Sequence, residues 1–164
     1  MISPLAYVDP TAKLGNNVEV KPFAYIEAGV EIGDNCVIMP HASILEGTVM
    51  GKNNIIYQNA VIGATPQDFH YQEGHPHRVI IGDDNRIREN VVIAGSSYDD
   101  RATIIGNGNF LMDKVHICHD THIHNHCVLG IGVNIAGECE IHDYSIQSSY
   151  VQVQQHVRIG RYSL

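Results

Sequence analysis

Five histidines fall within one short segment, HICHDTHIHNH at 116–126: His116, His119, His122, His124 and His126. A neutral imidazole near pH 7 can accept a proton or donate a lone pair to a metal ion, so the cluster suits general-base chemistry or metal binding. Perturbed titratable groups gather in functional sites, which makes the segment a candidate site as a whole. A second polar concentration lies at 64–78, ATPQDFHYQEGHPHR, which carries Gln67, Asp68, His70, Tyr71, His75 and His77 but no Val, Ile or Leu. Insertions of this kind commonly hold function when a rigid scaffold positions them.

The scaffold that must position these groups is a repeat. From Val8 an aliphatic residue returns at every sixth position: Leu14, Val20, Ile26, Ile32, Ile38, Ile44, Met50, Ile56 and Ile62. The phase shifts once. The step then runs through Ile81, Ile87, Ile93, Ile105, Leu111, Ile117, Ile123, Leu129, Ile135, Ile141, Val153 and Ile159, broken at Asp99 and Gln147. Such a period fits neither an amphipathic helix nor an open half-buried sheet; it marks a hexapeptide solenoid. Four residues after each aliphatic stands a small one (Ala12, Val18, Ala24, Val30, Cys36, Ala42, Thr48, Ala60), with Asn54 the exception. It lies two residues before the next aliphatic, so both point inward. The residue between them points out, and the remaining pair turns a corner, as in Gly33-Asp34-Asn35, where Gly, Asn and Asp suit sharp bends and positive φ. Stacked coils would then share one aliphatic core, about 4.8 Å apart.

The sequence therefore predicts one all-β domain over 1–164, a parallel β-helix with surface loop insertions at 64–78 and 95–103 (GSSYDDRAT), the latter replacing inward positions. In that frame His116 and His122, each one residue before an inward aliphatic, lie on outward strand faces. His119 and Asp120 form a corner pair. Three hexapeptides per coil stack His124 against His142, which disfavours charge on either ring.

Composition narrows the function. A chain of 164 residues supports a sizeable core. A formal net charge of −8 argues against nucleic acid or an anionic membrane as general partner. The basic residues from Arg78 onward, with Arg86, Arg88, Arg101, Lys114, Arg158 and Arg161, leave room for a local basic patch. The four cysteines have no metal or redox spacing. Cys36, Cys127 and Cys139 take the small inward slot as packed thiols, and Cys118 faces outward. The start, MISPLAYVDP, has no signal-peptide pattern and no stretch reads as an integral membrane segment, so a reducing, cytoplasmic location is expected.

Four segments, IYQNAVIG (56–63), PQDFHY (66–71), IGDDNRIREN (81–90) and FLMDKVHICHD (110–120), resemble the motifs IYQxAxIG, QDxKY, IGDxNxIRExVTIHRGT and NxLMxxxHIAHD of the UDP-N-acetylglucosamine 3-O-acyltransferase family, the first acyltransferase of lipid A synthesis. The resemblance covers nearly the whole chain. It implies a left-handed β-helix, a homotrimer with sites between subunits, and acyl transfer from acyl carrier protein to a nucleotide sugar without cofactor or metal. It also implies roles. His119 matches the general base, Asp120 the carboxylate that follows it, and Gly137 the glycine whose N–H meets the oxyanion. Gln67, Asp68, His116 and Gln155 match substrate-contacting positions. The chain departs from the pattern where a lysine becomes His70 and where histidines become Ala94, Glu138 and Gln154. Glu138 would add a negative charge one coil from Asp120. The family's helical C-terminal domain has no counterpart in residues 1–164. Three readings follow: an acyltransferase of the family type; a non-catalytic trimeric relative that binds or assembles; and a zinc enzyme of the β-helix carbonic anhydrase type, with His116, His119 and His122 as ligands.

Overall fold

A computed structural model describes residues 1–164. The chain coils around three parallel sheets, which hold eight, eight and seven short strands. The first sheet runs from Tyr7–Val8 to Gln152–Val153, the second from Lys13–Leu14 to Arg158–Ile159, and the third from Glu19–Val20 to Ile146–Gln147. Successive strands visit the three sheets in turn, so each coil contributes one strand to every face. No helix interrupts this order, and no helix is long and apolar enough to cross a membrane.

The inward periodicity is realised as expected. Ile26, Ile44, Ile62, Ile93 and Ile117 stack at 0 % exposure in the first face, with Ile123 and Leu129 equally buried in the other two. Their register, Ile26 on Ile44 and Ile117 on Ile135, places like side chains directly over one another. Corner residues adopt the left-handed conformation at many non-glycine positions, among them Asn35 (φ 58°), Asn53 (φ 58°) and Asp120 (φ 57°); Asn and Asp tolerate it best.

Asn54, the exception in the small slot, begins a buried ladder. Its Nδ2 donates to Gly82 O at 2.8 Å, and its Oδ1 accepts the Asn85 N–H at 2.9 Å. Asn85 repeats the pattern with Gly106 O and the Asn109 N–H, both at 2.9 Å. Asn109 closes the ladder on His124 O and the Cys127 N–H, both at 2.8 Å. Each amide thus meets its hydrogen-bonding needs inside an apolar core, the condition for burying it at all.

The two insertions differ from the sequence expectation in their bounds and at Asp99. The strand Val61–Ala64 includes Ala64, and Val79–Ile81 resumes the coil, so the first loop is 65–78. The second loop is 95–102, because Thr103 already belongs to the strand Thr103–Ile105 and is fully buried. Asp99 takes no inward slot; it is exposed at the tip of that loop, whereas Gln147 does point inward. Val79 pairs with Thr103 where Ile104 pairs regularly with His122, so the loop adds one hexapeptide's length without a strand. An insertion of one full period leaves the phase untouched, which is why the series reads through it. Both loops leave the coil at the corner between the first and second sheets.

Candidate active site

That same corner holds His119. The strand His116–Ile117 of the first sheet leads into it, and His122–Ile123 of the second sheet leads out. The imidazole is only 6 % exposed. Its Nδ1 lies 2.9 Å from Asp120 Oδ2, and the Asp120 N–H donates to Thr103 Oγ1 at 2.9 Å, which fixes the turn. Both loops fold back over the ring. The Ser97 N–H from the second loop donates to Asp120 Oδ2 at 3.0 Å, and Asp68 from the first loop puts Oδ2 3.8 Å from His119 Nε2. A carboxylate on Nδ1 assigns the proton to that nitrogen and leaves the Nε2 lone pair free.

Gly137 lies one coil above, and any side chain there would collide with the His119 ring in its present place. A Cβ on it would sit 2.4 Å from His119 Nε2 and 2.5 Å from Cε1. The ring therefore lies across the Gly137 backbone, whose N–H donates to no acceptor in the chain. Two buried oxygens, Asp120 Oδ1 and Ser97 Oγ, also make no hydrogen bond within the chain. The corner thus combines a free imidazole nitrogen, a free backbone donor and unpaired polar atoms.

Electrostatics follow from these contacts. The Asp120 hydrogen bond raises the His119 pKa above its ordinary value; burial opposes the rise, and the charges of Asp68, Asp120 and Glu138 assist it. Burial alone would push the Asp68 carboxyl up. Hydrogen bonds to it, from the His70 N–H and ring Nδ1 at 3.1 Å each, together with the His119 charge, pull it down to about 2. Ser97 lowers Asp68 as well, although its hydroxyl reaches no acceptor with good hydrogen-bond geometry. Burial pushes His116 down, so that ring is neutral near pH 7.

Clefts flank the corner on both sides. On the first face, a cleft of about 350 Å³ is lined by Gln67, His116, Cys118, Asn134, Gln152 and Gln154. On the second face, one of about 560 Å³ is lined by Arg78, Arg101, Asp120, Glu138 and Arg158 among others. The structure thus brings together His119, Asp120, Gly137 and Asp68, with Gln67 and His116 in the adjoining cleft. Gln155 is separate: it is exposed on the corner above Gly137, and Gln154 lines the cleft in its stead. His70 turns its ring onto Asp68. Glu138 is met by Arg101 Nη1 at 3.4 Å and lies 3.8 Å from His156 Nδ1, so a guanidinium and an imidazole stand beside its charge. His116, His119 and His122 do not converge as a zinc triad would; they belong to the first face, the corner and the second face. Sequence reasoning missed Ser97, Thr103 and Arg101 as site residues. The polar insertion at 95–103 was the available signal for all three.

A three-sided coil of parallel strands with a histidine at one corner defines the class of hexapeptide-repeat transferases. The family model described as bacterial transferase hexapeptide (six repeats) matches residues 11–45 and 29–64. An acyl-[acyl-carrier-protein]–UDP-N-acetylglucosamine O-acyltransferase from Pseudomonas paraeruginosa is 50 % identical over 99 % of this chain and 63 % of its own length. Among solved structures, the UDP-N-acetylglucosamine acyltransferase of Francisella novicida superposes with a TM-score of 0.96 at 41 % identity, over 99 % of this chain and 59 % of that one. The Bacteroides fragilis enzyme gives 0.87 at 44 % identity, over 98 % and 67 %. The chain belongs to the UDP-N-acetylglucosamine O-acyltransferase family, and its β-helix is left-handed. It spans 63 % of the length of the curated Pseudomonas relatives it matches.

Proposed function

We propose that this chain is an acyltransferase that moves an acyl group from acyl carrier protein to a hydroxyl of UDP-N-acetylglucosamine or a close nucleotide sugar, in the first step of lipid A synthesis. It works as a cytoplasmic homotrimer. The observation that carries the reading is the apposition of His119 and Gly137: a base nitrogen engaged in no hydrogen bond, beside a backbone N–H with no acceptor in the chain.

The chemistry follows from that pair. His119 Nε2 takes the proton from the sugar hydroxyl as its oxygen bonds to the thioester carbonyl carbon. The carbonyl oxygen gains negative charge and accepts the Gly137 N–H. Collapse of the tetrahedral adduct breaks the C–S bond, and the imidazolium returns its proton to the leaving thiolate. Asp120 on Nδ1 stabilises the imidazolium, and Asp68 at 3.8 Å adds to that stabilisation. Burial of all three groups strengthens the effect relative to water. Gln67 and Asp68 meet the sugar nucleotide, with His116 as a neutral hydrogen-bonding group in the first-face cleft; Gln155, on the corner above Gly137, would reach the substrate only from outside that cleft. His70 holds Asp68, and Glu138 with its partners Arg101 and His156 borders the cleft on the second face. The step requires neither cofactor nor metal.

A binding or assembly role without catalysis draws on Glu138 and Gln154, which stand where the family pattern has histidines. Turnover separates the two readings. The full chain is assayed with acyl carrier proteins of several acyl lengths and a panel of sugar nucleotides, and its mass is measured by sedimentation. Transfer by a trimer is the expected result. A trimer that raises its melting temperature with UDP-N-acetylglucosamine but transfers nothing supports the binding role; a monomer that neither binds nor transfers refutes both.

A further inference from the structure

Outside the corner, the second face carries a group of side chains that the proposed reaction leaves unused. His122 and His124 lie two residues apart on one coil, and Glu140 and His142 occupy the same two positions on the next, with His122 paired to Glu140 in register. Residues two apart share a face, and neighbouring coils are about 4.8 Å apart, so the four form a small square of outward side chains. The rings of His122 and His124 stack at 3.8 Å and 17°, and those of His124 and His142 at 4.5 Å and 19°. Near-parallel imidazoles present their nitrogens side by side along one edge. Those edges turn to one oxygen: His124 Nε2 lies 3.1 Å and His142 Nε2 3.6 Å from Glu140 Oε1. One ligand atom each from His122, His124 and Glu140 falls within 4.8 Å of the others. All four residues are half-buried.

We infer that His122, His124, His142 and Glu140 bind a divalent transition-metal ion of the zinc, cobalt or nickel class. Three imidazole nitrogens and one carboxylate oxygen are the donor set such ions prefer over magnesium or calcium. In a tetrahedral site with bonds near 2.1 Å, ligand atoms stand about 3.4 Å apart, so His122, His124 and Glu140 must draw together by about an ångström and the His142 ring, outside that trio but 3.6 Å from Glu140 Oε1, must turn to join them, both within reach of side-chain rotation. The competing cation is Arg158, whose Nε sits 3.0 Å from the other Glu140 oxygen. Its side chain is 80 % exposed, so that pair is weakly held and does not occupy the oxygen facing the rings. The inward side of the square is rigid: the Asn109 Nδ2 donates to His124 O at 2.8 Å and anchors the backbone of one ligand to the core ladder. A bound ion would clamp two coils together. His119, Asp120 and Gly137 contribute no ligand to this site, although His122 and Glu140 line the second-face cleft that Asp120 and Glu138 also border.

The test uses the full chain without a histidine tag, stripped with chelator and titrated with Co²⁺ and then Zn²⁺. Expected are one Co²⁺ per chain, visible absorption of the tetrahedral type, and its loss when Zn²⁺ displaces it. His124→Ala and Glu140→Gln should each weaken Co²⁺ binding by about tenfold or more, while His126→Ala, the next histidine along the chain and stacked instead on Tyr144, leaves it unchanged. Histidine-ring NMR of the unmodified chain supplies a readout that needs no variant: Co²⁺ should broaden His122, His124 and His142 and spare His70 and His75. Substoichiometric binding, broadening of other histidines instead, or undiminished affinity in folded His124→Ala and Glu140→Gln would overturn the assignment.

Discussion

Gly137→Ala adds a single methyl group and should disable the corner without unfolding the coil. The new Cβ would stand 2.4 Å from His119 Nε2, and ordinary van der Waals contact begins at about 3.4 Å, so the ring must retreat by about 1 Å. Gly137 has no positive φ, so the backbone accepts alanine. The obstructing atoms are the far end of a side chain, and the overpacking should cost about 1–3 kcal/mol, offset by the reduced entropy of the unfolded chain, about 0.4–1 kcal/mol. Retreat breaks the 2.9 Å bond to Asp120 and takes Nε2 away from the Gly137 N–H. A misplacement of about 1 Å costs about 100-fold in rate, or about 2.7 kcal/mol of barrier. The assay is acyl transfer under saturating substrates, with NMR titration of His119 alongside. Because the Asp120 bond is the largest cause of the raised His119 pKa, that pKa should fall in the variant. Gly160→Ala is the control, since its Cβ meets nothing nearer than Ser163 Oγ at 3.9 Å. A Gly137→Ala protein with the unmodified rate and an unmoved His119 titration would refute the geometry.

Asp120→Asn removes the largest cause raising the His119 pKa, so the acidic limb of the pH–rate profile should move to lower pH while the maximal rate falls; a limb that stays or moves up would show that another group titrates. Linkage gives the same contact a stability signature. A raised His pKa adds stability below the ordinary value of about 6.5 that is lost as pH rises through the folded pKa, so the melting advantage of the unmodified chain over Asp120→Asn should shrink between slightly acid and alkaline pH. Asn85→Ala strips the core ladder and leaves Gly106 O and the Asn109 N–H buried without partners, at about 1–3 kcal/mol each; urea unfolding should register a loss of several kcal/mol, and a loss below about 1 kcal/mol would mean the ladder relaxes or hydrates. Arg101→Ala leaves Glu138 with His156 alone beside the second-face cleft. The KM for the anionic sugar nucleotide should rise several-fold at low salt with kcat little changed, and an unchanged KM would remove Glu138 from the substrate path.

The coil itself was readable because its physics is local and repeated. Ile44, Ile62 and Ile117 each obey one spacing, and a wrong assignment at any single position would be outvoted by the others. The stack of His124 on His142 followed from the eighteen-residue coil alone. Asp99 was misread for a reason equally physical: an insertion of one whole hexapeptide keeps the phase, so spacing cannot distinguish a looped-out turn from a polar inward residue. The His119–Asp120 corner was legible from position. Its cover was not, because the docking of Asp68 and Ser97 depends on how two loops with no periodicity fold back, and on Thr103 receiving the Asp120 N–H. The metal-like square was half visible: the sequence supplied the histidines, but only the register showed Glu140 between them.

The most direct test of the central claim is the rate of acyl transfer from acyl carrier protein to UDP-N-acetylglucosamine by the full chain and by His119→Ala, with circular dichroism verifying that the variant keeps its β-structure. The account predicts measurable transfer by the unmodified chain and a fall of about 10²–10⁴-fold on removing the imidazole. Equal rates in the two folded proteins would contradict it.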